Sequence, residues 1–169
     1  MSRRAPHEAV EVFTIGHSNA SFESMLALLK AYKVDILLDI RGRPHMNVYP
    51  EFSRRRMKMR LAKDEIVYIF MGDLLGPRPP KGELVTCLGA VDYLKVEASA
   101  RFQKGLAWLL EESRNATLCL FCGEADPLTC HRHHLVGQNL IARGLRVRHI
   151  RLDGGVEEAD ADLFHRSFL

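Results

Sequence analysis

Between residues 118 and 132 the chain reads LCLFCGEADPLTCHR. Three of the four cysteines, two carboxylates, a histidine and an arginine fall within it, a mixture that a packed core does not require. These residue types can do nucleophilic and acid–base chemistry. Asp126-Pro127 reads as a helix start, with Asp126 as N-cap and Pro127 at the first helical position. That start sets Cys130 and His131 in the first turn, where unpaired N–H groups and the helix dipole lower a thiol pKa, helped by His131 or Arg132. In one reading Cys130 is a nucleophile and Glu124 or a histidine its acid or base. In the other, Cys130 packs as a small hydrophobe while His131 and Arg132 cap and bridge locally. An empty cleft with Cys130 fully buried would favour a non-catalytic nucleic-acid-binding module over an enzyme. Cys122 carries the same choice, between a catalytic thiol and packing at a strand end.

Cys119 and Cys122 form a Cys-x-x-Cys, but both lie in an apolar run that reads as a strand. Three residues there span roughly 10 Å with alternating faces, too far for a disulfide. Cys122, Cys130, His131, His133, His134 and His17 offer sulfur and nitrogen donors. Their spacing follows no zinc pattern, and adjacent helical residues point apart. A metal is therefore the less favoured reading, and no cofactor is expected. Cys87 has no evident partner and reads as structural.

Two further polar stretches complete the set. Asp39-Ile40-Arg41-Gly42-Arg43 follows one apolar run, and Gly16-His17-Ser18 follows another. Asp39 and Arg41 can be a salt-bridged pair that stiffens a loop, while Arg41, Arg43 and Arg132, with a helix N-terminus, form an anion pocket suited to phosphate. The two readings are compatible. Gly16 permits close backbone approach beside His17.

The elements that must position these groups alternate. Residues 10–15, 34–40, 66–71, 118–122 and 146–150 read as strands; 34–40 is almost continuously apolar, as in a central parallel strand. Ser21 begins an amphipathic helix through Phe22, Met25, Leu26, Leu29 and Tyr32. Residues 53–63 can form a basic helix, Phe102, Leu106, Leu109 and Leu110 mark another, and Leu135, Val136, Leu140 and Ile141 a fourth, which Gly144 ends. The pattern predicts an α/β chain: a three-layer, Rossmann-like fold with a mainly parallel sheet of about five strands. All parallel strand ends then share one edge, where open α/β sheets bind ligands. His17-Ser18, Asp39-Arg41-Arg43 and Cys122-Glu124 would meet there.

The 169 residues, 47% hydrophobic and 27% charged, fit a single domain over 1–169, with 1–9 expected to be disordered. Residues 72–99, rich in proline and glycine at their start, read as an excursion over the site edge with a short helix near Tyr93. The tail from 152 reads as a short helix or loose chain. No run approaches a membrane span and no secretory leader is visible, so a cytoplasmic location without membrane partners is expected. Net charge is only +3, but eight basic residues between Arg41 and Lys63 face one acid, Glu51. That density suits phosphates or nucleic acid, or else a solvated helix face. A homo-oligomer is compatible with the sequence.

Thr14-Ile15-Gly16-His17-Ser18, Asp39-Ile40-Arg41 with Pro44, and Cys122-Gly123-Glu124 with Pro127 and Cys130-His131-Arg132 resemble the signatures of the domain of unknown function 488 family. The similarity runs from about Val12 to Ile150 and includes Tyr68 and Met71-Gly72. It implies a Rossmann-like domain with a polar pocket and brings no settled activity. Function is argued from the site. The expectation is an enzyme acting on a phosphate-bearing substrate, a nucleotide or nucleic acid. Glu124, Cys130, His17 and Cys122 would be catalytic, and Ser18, Asp39, Arg41, Arg43, His131 and Arg132 would bind substrate. The alternative is a non-catalytic nucleic-acid-binding or small-molecule-binding regulatory module.

Overall fold

The computed structural model describes residues 10–42, 44, 49–77 and 91–161. Expectations about residues 1–9, Arg43, Cys87, the middle of the 72–99 excursion and the last residues of the tail lie outside them. The strands are β1 (Glu11–Gly16), β2 (Ile36–Asp39), β3 (Val67–Phe70), β4 (Leu118–Cys122), β5 (Arg146–Ile150) and β6 (Val156–Glu158). They form one sheet in the order β3-β2-β4-β1-β5-β6. The first five are parallel, and β6 runs antiparallel to β5. The fold is thus the expected Rossmann-like α/β type, with six strands where five were read. The extra strand is a short hairpin after β5. Gly154, at φ 93°, makes its turn, and Arg151 N–H donates to the Gly155 carbonyl at 2.8 Å. Only three residues of β6 pair, and two of them are exposed glutamates, so the tail carries almost no strand signal.

Side-chain alternation divides the core between two faces. Phe13, Ile15, Leu37, Cys119 and Phe121 point to one face, where α1 (Phe22–Ala31) and α2 (Arg54–Leu61) cover them through Phe22, Met25, Leu29, Met57 and Leu61. Val12, Leu38, Leu118 and Leu120 point to the other. There they meet Phe102, Leu106 and Leu109 of a helix spanning Ala100–Glu112, and Leu135, Val136 and Leu140 from the segment after β4. Each such buried side chain contributes roughly 1.5–3 kcal/mol of hydrophobic stabilisation. Ser21 caps α1 as expected, accepting from Ser24 N–H at 3.1 Å. Two short helices, α3 (Gly72–Leu75) and α4 (Tyr93–Ala98), border the excursion, and the Ala100–Glu112 helix follows as α5.

The layering decides where a ligand can enter. The chain leaves β1 toward the α1 face and leaves β4 toward the opposite face, although β1 and β4 are neighbours. Connections that diverge from adjacent parallel strands open a crevice at their carboxyl ends.

The helix expected from Pro127 is broken. Asp126 caps as predicted, accepting from Leu128 N–H at 2.9 Å, but Pro127–Thr129 makes only one 3-10 turn. Cys130 is extended (φ −128°, ψ 143°), and helical geometry resumes at His131. Residues Arg132–Gly137 are wound as a π-helix before α6 (Gln138–Ile141). Gly144, at φ 82°, follows the end of α6 as expected. Cys130 is therefore not within the first turn of one long helix. It stands in the break between two helical pieces, a conformation that residue spacing alone does not reveal.

Candidate functional site

Backbone bonds carry the sheet past its last paired residues and fix the three strand exits together. His17 N–H donates to the Cys122 carbonyl at 3.2 Å, Ser18 N–H to Gly123 at 2.8 Å, and Ile40 N–H to Phe121 at 3.1 Å. Ser18 holds φ 44° to make its turn. The three signatures expected at one edge do meet there, because β4 lies between β1 and β2.

The thiols converge beyond β4. Cys122, its last residue, directs its S–H at Glu124 Oε2 (2.9 Å), and Cys130 S–H reaches the same oxygen at 3.2 Å. Both sulfurs lie 3.8 Å from His131 Nδ1. His131 Nε2 is 3.0 Å from the Ile40 carbonyl. A carbonyl only accepts, so Nε2 carries a proton there and Nδ1 is the nitrogen turned toward the sulfurs. Cys130 also acts as a cap: its Sγ accepts Arg132 N–H at 3.4 Å, and its carbonyl accepts from His133 and His134. Cys122, Cys130 and His131 are 3%, 2% and 6% exposed. Glu124 is exposed.

Electrostatics separate the two thiols. The neighbouring Cys122 lowers the Cys130 pKa against the cost of burial, and His131 and Arg132 add to it, so Cys130 is the more acidic of the two thiols. Cys122 moves the other way. The neighbouring Cys130, its own burial and the Glu124 charge hold its proton well above the usual thiol range. Burial opposes ionisation of Glu124, but the two thiol hydrogen bonds outweigh it and depress its pKa.

A cavity of about 240 Å³ opens beside this cluster, lined by Arg41, Gly42, Pro77, Cys122, Gly123, Glu124 and His131. Cys130 is not in that lining. The Arg41 guanidinium is held bidentately by buried Asp39, at 2.9 and 2.7 Å, and also donates to the Phe52 carbonyl at 2.7 Å. Tyr68 O–H donates to the same Asp39 carboxylate. Arg132 is buried beneath the exit loop, with its guanidinium donating to the carbonyls of Glu124 and Ala125. It shapes the loop instead of facing the cavity. His17 is likewise buried, stacked on Phe52 at 4.3 Å. Its Nδ1–H donates to the Ser18 carbonyl at 2.8 Å, and its Nε2 has no partner among the described residues. Burial first, and then the Arg41 charge, lowers its pKa.

The model of the family described as Domain of unknown function DUF488 matches residues 21–138, well over half of the chain. The chain belongs to the DUF488 family. Comparison with curated proteins and with solved structures gives no match. The matched DUF488 span contains Asp39, Arg41, Cys122, Glu124, Cys130 and His131, while His17 and Ser18 precede it.

The expected residues thus divide by position. Cys122, Glu124, His131 and Arg41 reach the cavity of this DUF488 protein; Cys130, Asp39, Arg132 and His17 support it from beneath; Ser18 forms the neighbouring turn. Arg43 lies outside the described residues. Sequence reasoning assigned no role to Phe52, whose ring and carbonyl hold His17 and Arg41. Tyr68 was noted only within the family resemblance. Tyr93 was used only to mark a helix; burial, then the charges of Cys130, Cys122 and Glu124, raises its pKa. Aromatic residues in such places read as ordinary core, and no local spacing distinguishes them.

Proposed function

We propose that this DUF488 protein is an enzyme that acts on a phosphate-bearing substrate, a nucleotide or nucleic acid, in the cavity at the end of β4. The observation that carries the reading is the cavity wall. An exposed carboxylate, Glu124, stands directly over sulfur and imidazole donors, with an arginine on the opposite strand exit. Glu124 is the general acid or base, since it alone of the titratable lining groups combines exposure with built hydrogen-bond support. Arg41 supplies positive charge, oriented by Asp39 and Tyr68. His17 and Arg132 are positioning residues. Cys130, excluded from the lining, is not the attacking group. Its burial favours a role other than direct attack on substrate.

The phosphate preference draws support from the neighbouring helix. Arg41 is bonded to the Phe52 carbonyl, which ties the start of α2 to the same edge, and Arg55, Arg56 and Lys58 are exposed there. Arg54 and Arg60 are engaged by the faces of Phe70 and Phe22. Arg54 stays exposed with Arg55, Arg56 and Lys58, and Arg60 is partly drawn off by its ion pair with Glu23.

The test is a turnover panel of nucleotides, phosphomonoesters and oligonucleotides with the wild-type chain and Glu124→Gln. We expect release or transfer of phosphate from one class, with a loss of about 100-fold or more in kcat for the variant. Turnover that survives Glu124→Gln within threefold would remove Glu124 from the chemistry, and no turnover across the panel would remove the reading.

A further inference from the structure

We propose that Cys122, Cys130 and His131 bind a zinc ion at the floor of the cavity, with the fourth coordination position opening toward Glu124. The three donor atoms lie within 4.8 Å of one another, and each sulfur is 3.8 Å from His131 Nδ1. Ligands at zinc–sulfur and zinc–nitrogen distances in a tetrahedral arrangement stand roughly 3.5–3.8 Å apart. The cluster already has nearly that shape.

The second observation is independent of those distances. His131 presents Nδ1 to the sulfurs because Nε2–H is committed to the Ile40 carbonyl at 3.0 Å. A ligating histidine is ordinarily held in this way, with its far nitrogen donating to a carbonyl or carboxylate that fixes tautomer and ring direction. The other donors are equally fixed. Cys122 ends the central strand β4, and Cys130 is locked by the Arg132 N–H at 3.4 Å. Neighbouring histidines are occupied elsewhere: His133 Nδ1 pairs with His149 Nε2 at 3.1 Å, and His134 Nε2 with the Leu128 carbonyl at 2.6 Å. Among the described residues the set is therefore two sulfurs and one nitrogen, the three-ligand count of a catalytic zinc site. Such soft donors select zinc over magnesium or calcium.

Binding displaces any proton a sulfur still carries. Cys122, which holds its proton, gives it up as its Zn–S bond forms, and the two negative sulfurs then balance the charge of the ion. The hydrogen bonds now given to Glu124 by both thiols end at that point, leaving its carboxylate free to accept from water in the fourth position. A zinc-bound water beside a carboxylate supplies an activated nucleophile near neutral pH. As a statement about catalysis the inference rests on the enzymatic reading above; as a metal site it is measured without turnover.

The experiment uses the full chain, stripped of metal and verified as folded by circular dichroism, then titrated with zinc under reducing conditions. We expect about one equivalent bound at roughly 10 μM free zinc, with two thiols protected from a thiol reagent. Cobalt substitution should give a sulfur-to-metal charge-transfer band. Cys122→Ser and Cys130→Ser should each weaken zinc binding by about 10-fold or more and roughly halve that band, whereas Glu124→Gln should keep one equivalent and the full band. The wild-type measurement stands even where a cysteine variant fails to fold. Failure of the folded wild-type chain to bind zinc, or zinc binding without thiol protection, overturns the site. Zinc binding without turnover of any phosphate compound leaves the site and removes the enzymatic reading; full turnover by metal-free protein keeps that reading and overturns the catalytic role of the zinc.

Discussion

Gly16 and Glu124 share a space that admits no side chain. A Cβ on Gly16 would lie 1.7 Å from the Glu124 carbonyl oxygen and 2.8 Å from an Arg132 guanidinium nitrogen. The β1 exit can therefore pass directly under the loop that carries the acid. Gly16→Ala should push that loop away, destabilising the fold by about 1–3 kcal/mol or more, as overpacking does. Any turnover should fall by more than the stability loss explains. Denaturant unfolding and activity on the same preparation check this, and an alanine variant of unchanged stability would show that the loop yields freely.

The buried pair Asp39–Arg41 yields a second expectation. Asp39 is completely buried and satisfied by the Arg41 side chain, the Arg41 N–H and Tyr68. Asp39→Ala should cost about 3–5 kcal/mol by leaving an uncompensated guanidinium, and Tyr68→Phe about 1–2 kcal/mol by removing a hydrogen bond to a charged group. The double variant should cost less than the sum, measured as a double-mutant cycle by urea denaturation. Additive losses would mean that Tyr68 and Asp39 act independently.

A buried relay beside the site sets a pH limit on stability. His149 Nδ1 contacts Thr14 Oγ1 at 2.7 Å, and its Nε2 contacts His133 Nδ1 at 3.1 Å. Burial first, then the charges of His133, Arg132 and Arg151, brings the His149 pKa down to about 3, against a weaker opposing pull from Asp126. The folded state keeps His149 neutral, while the unfolded chain protonates it below about 6.5. Stability is thus retained above that value and lost as pH falls from about 6.5 toward 3, on the order of 1 kcal/mol per unit. His17, also lowered by burial, acts in the same direction. Melting temperatures between pH 5 and 8 should fall on the acid side, with a shallower slope in His149→Gln. An unchanged slope in that variant would assign the acid sensitivity elsewhere.

The legible parts of this molecule were those with local periodicity. The apolar runs of β1, β2 and β4, the Ser21 cap and the Gly144 stop are set by residues within a few positions of one another, and they occur as read. The three polar strand exits were legible as well, because parallel βαβ connectivity brings such exits to one edge. The internal arrangement of the site was not. Whether Arg132 faces a ligand or the loop carbonyls depends on the path of residues 123–126, and the break at Cys130 depends on packing across the sheet. The metal-type cluster was hidden for a related reason. Cys122 sits on a strand and Cys130 in a helix break, so their spacing of eight residues matches no repeated ligand motif, although the fold closes the gap. Asp39–Arg41 was read correctly as a pair, but Tyr68 as its third member lies 29 residues away and only the sheet joins them.

Arg132 offers the sharpest separation of loop shape from charge. It is fully buried, and its two terminal nitrogens hold the carbonyls of Glu124 and Ala125. A lysine keeps the charge but has no planar fork with which to hold two diverging carbonyls. Arg132→Lys should therefore leave one carbonyl unsatisfied, cost about 1–3 kcal/mol, and raise amide hydrogen exchange in residues 123–126 while leaving β4 itself protected. The same variant should loosen Glu124 over Cys122, which difference infrared spectroscopy of the Cys122 S–H stretch detects as a weakening of its hydrogen bond. Faster exchange spread evenly over the sheet would instead make Arg132 a general core residue, and unchanged exchange in 123–126 would mean the loop holds its shape without the clamp.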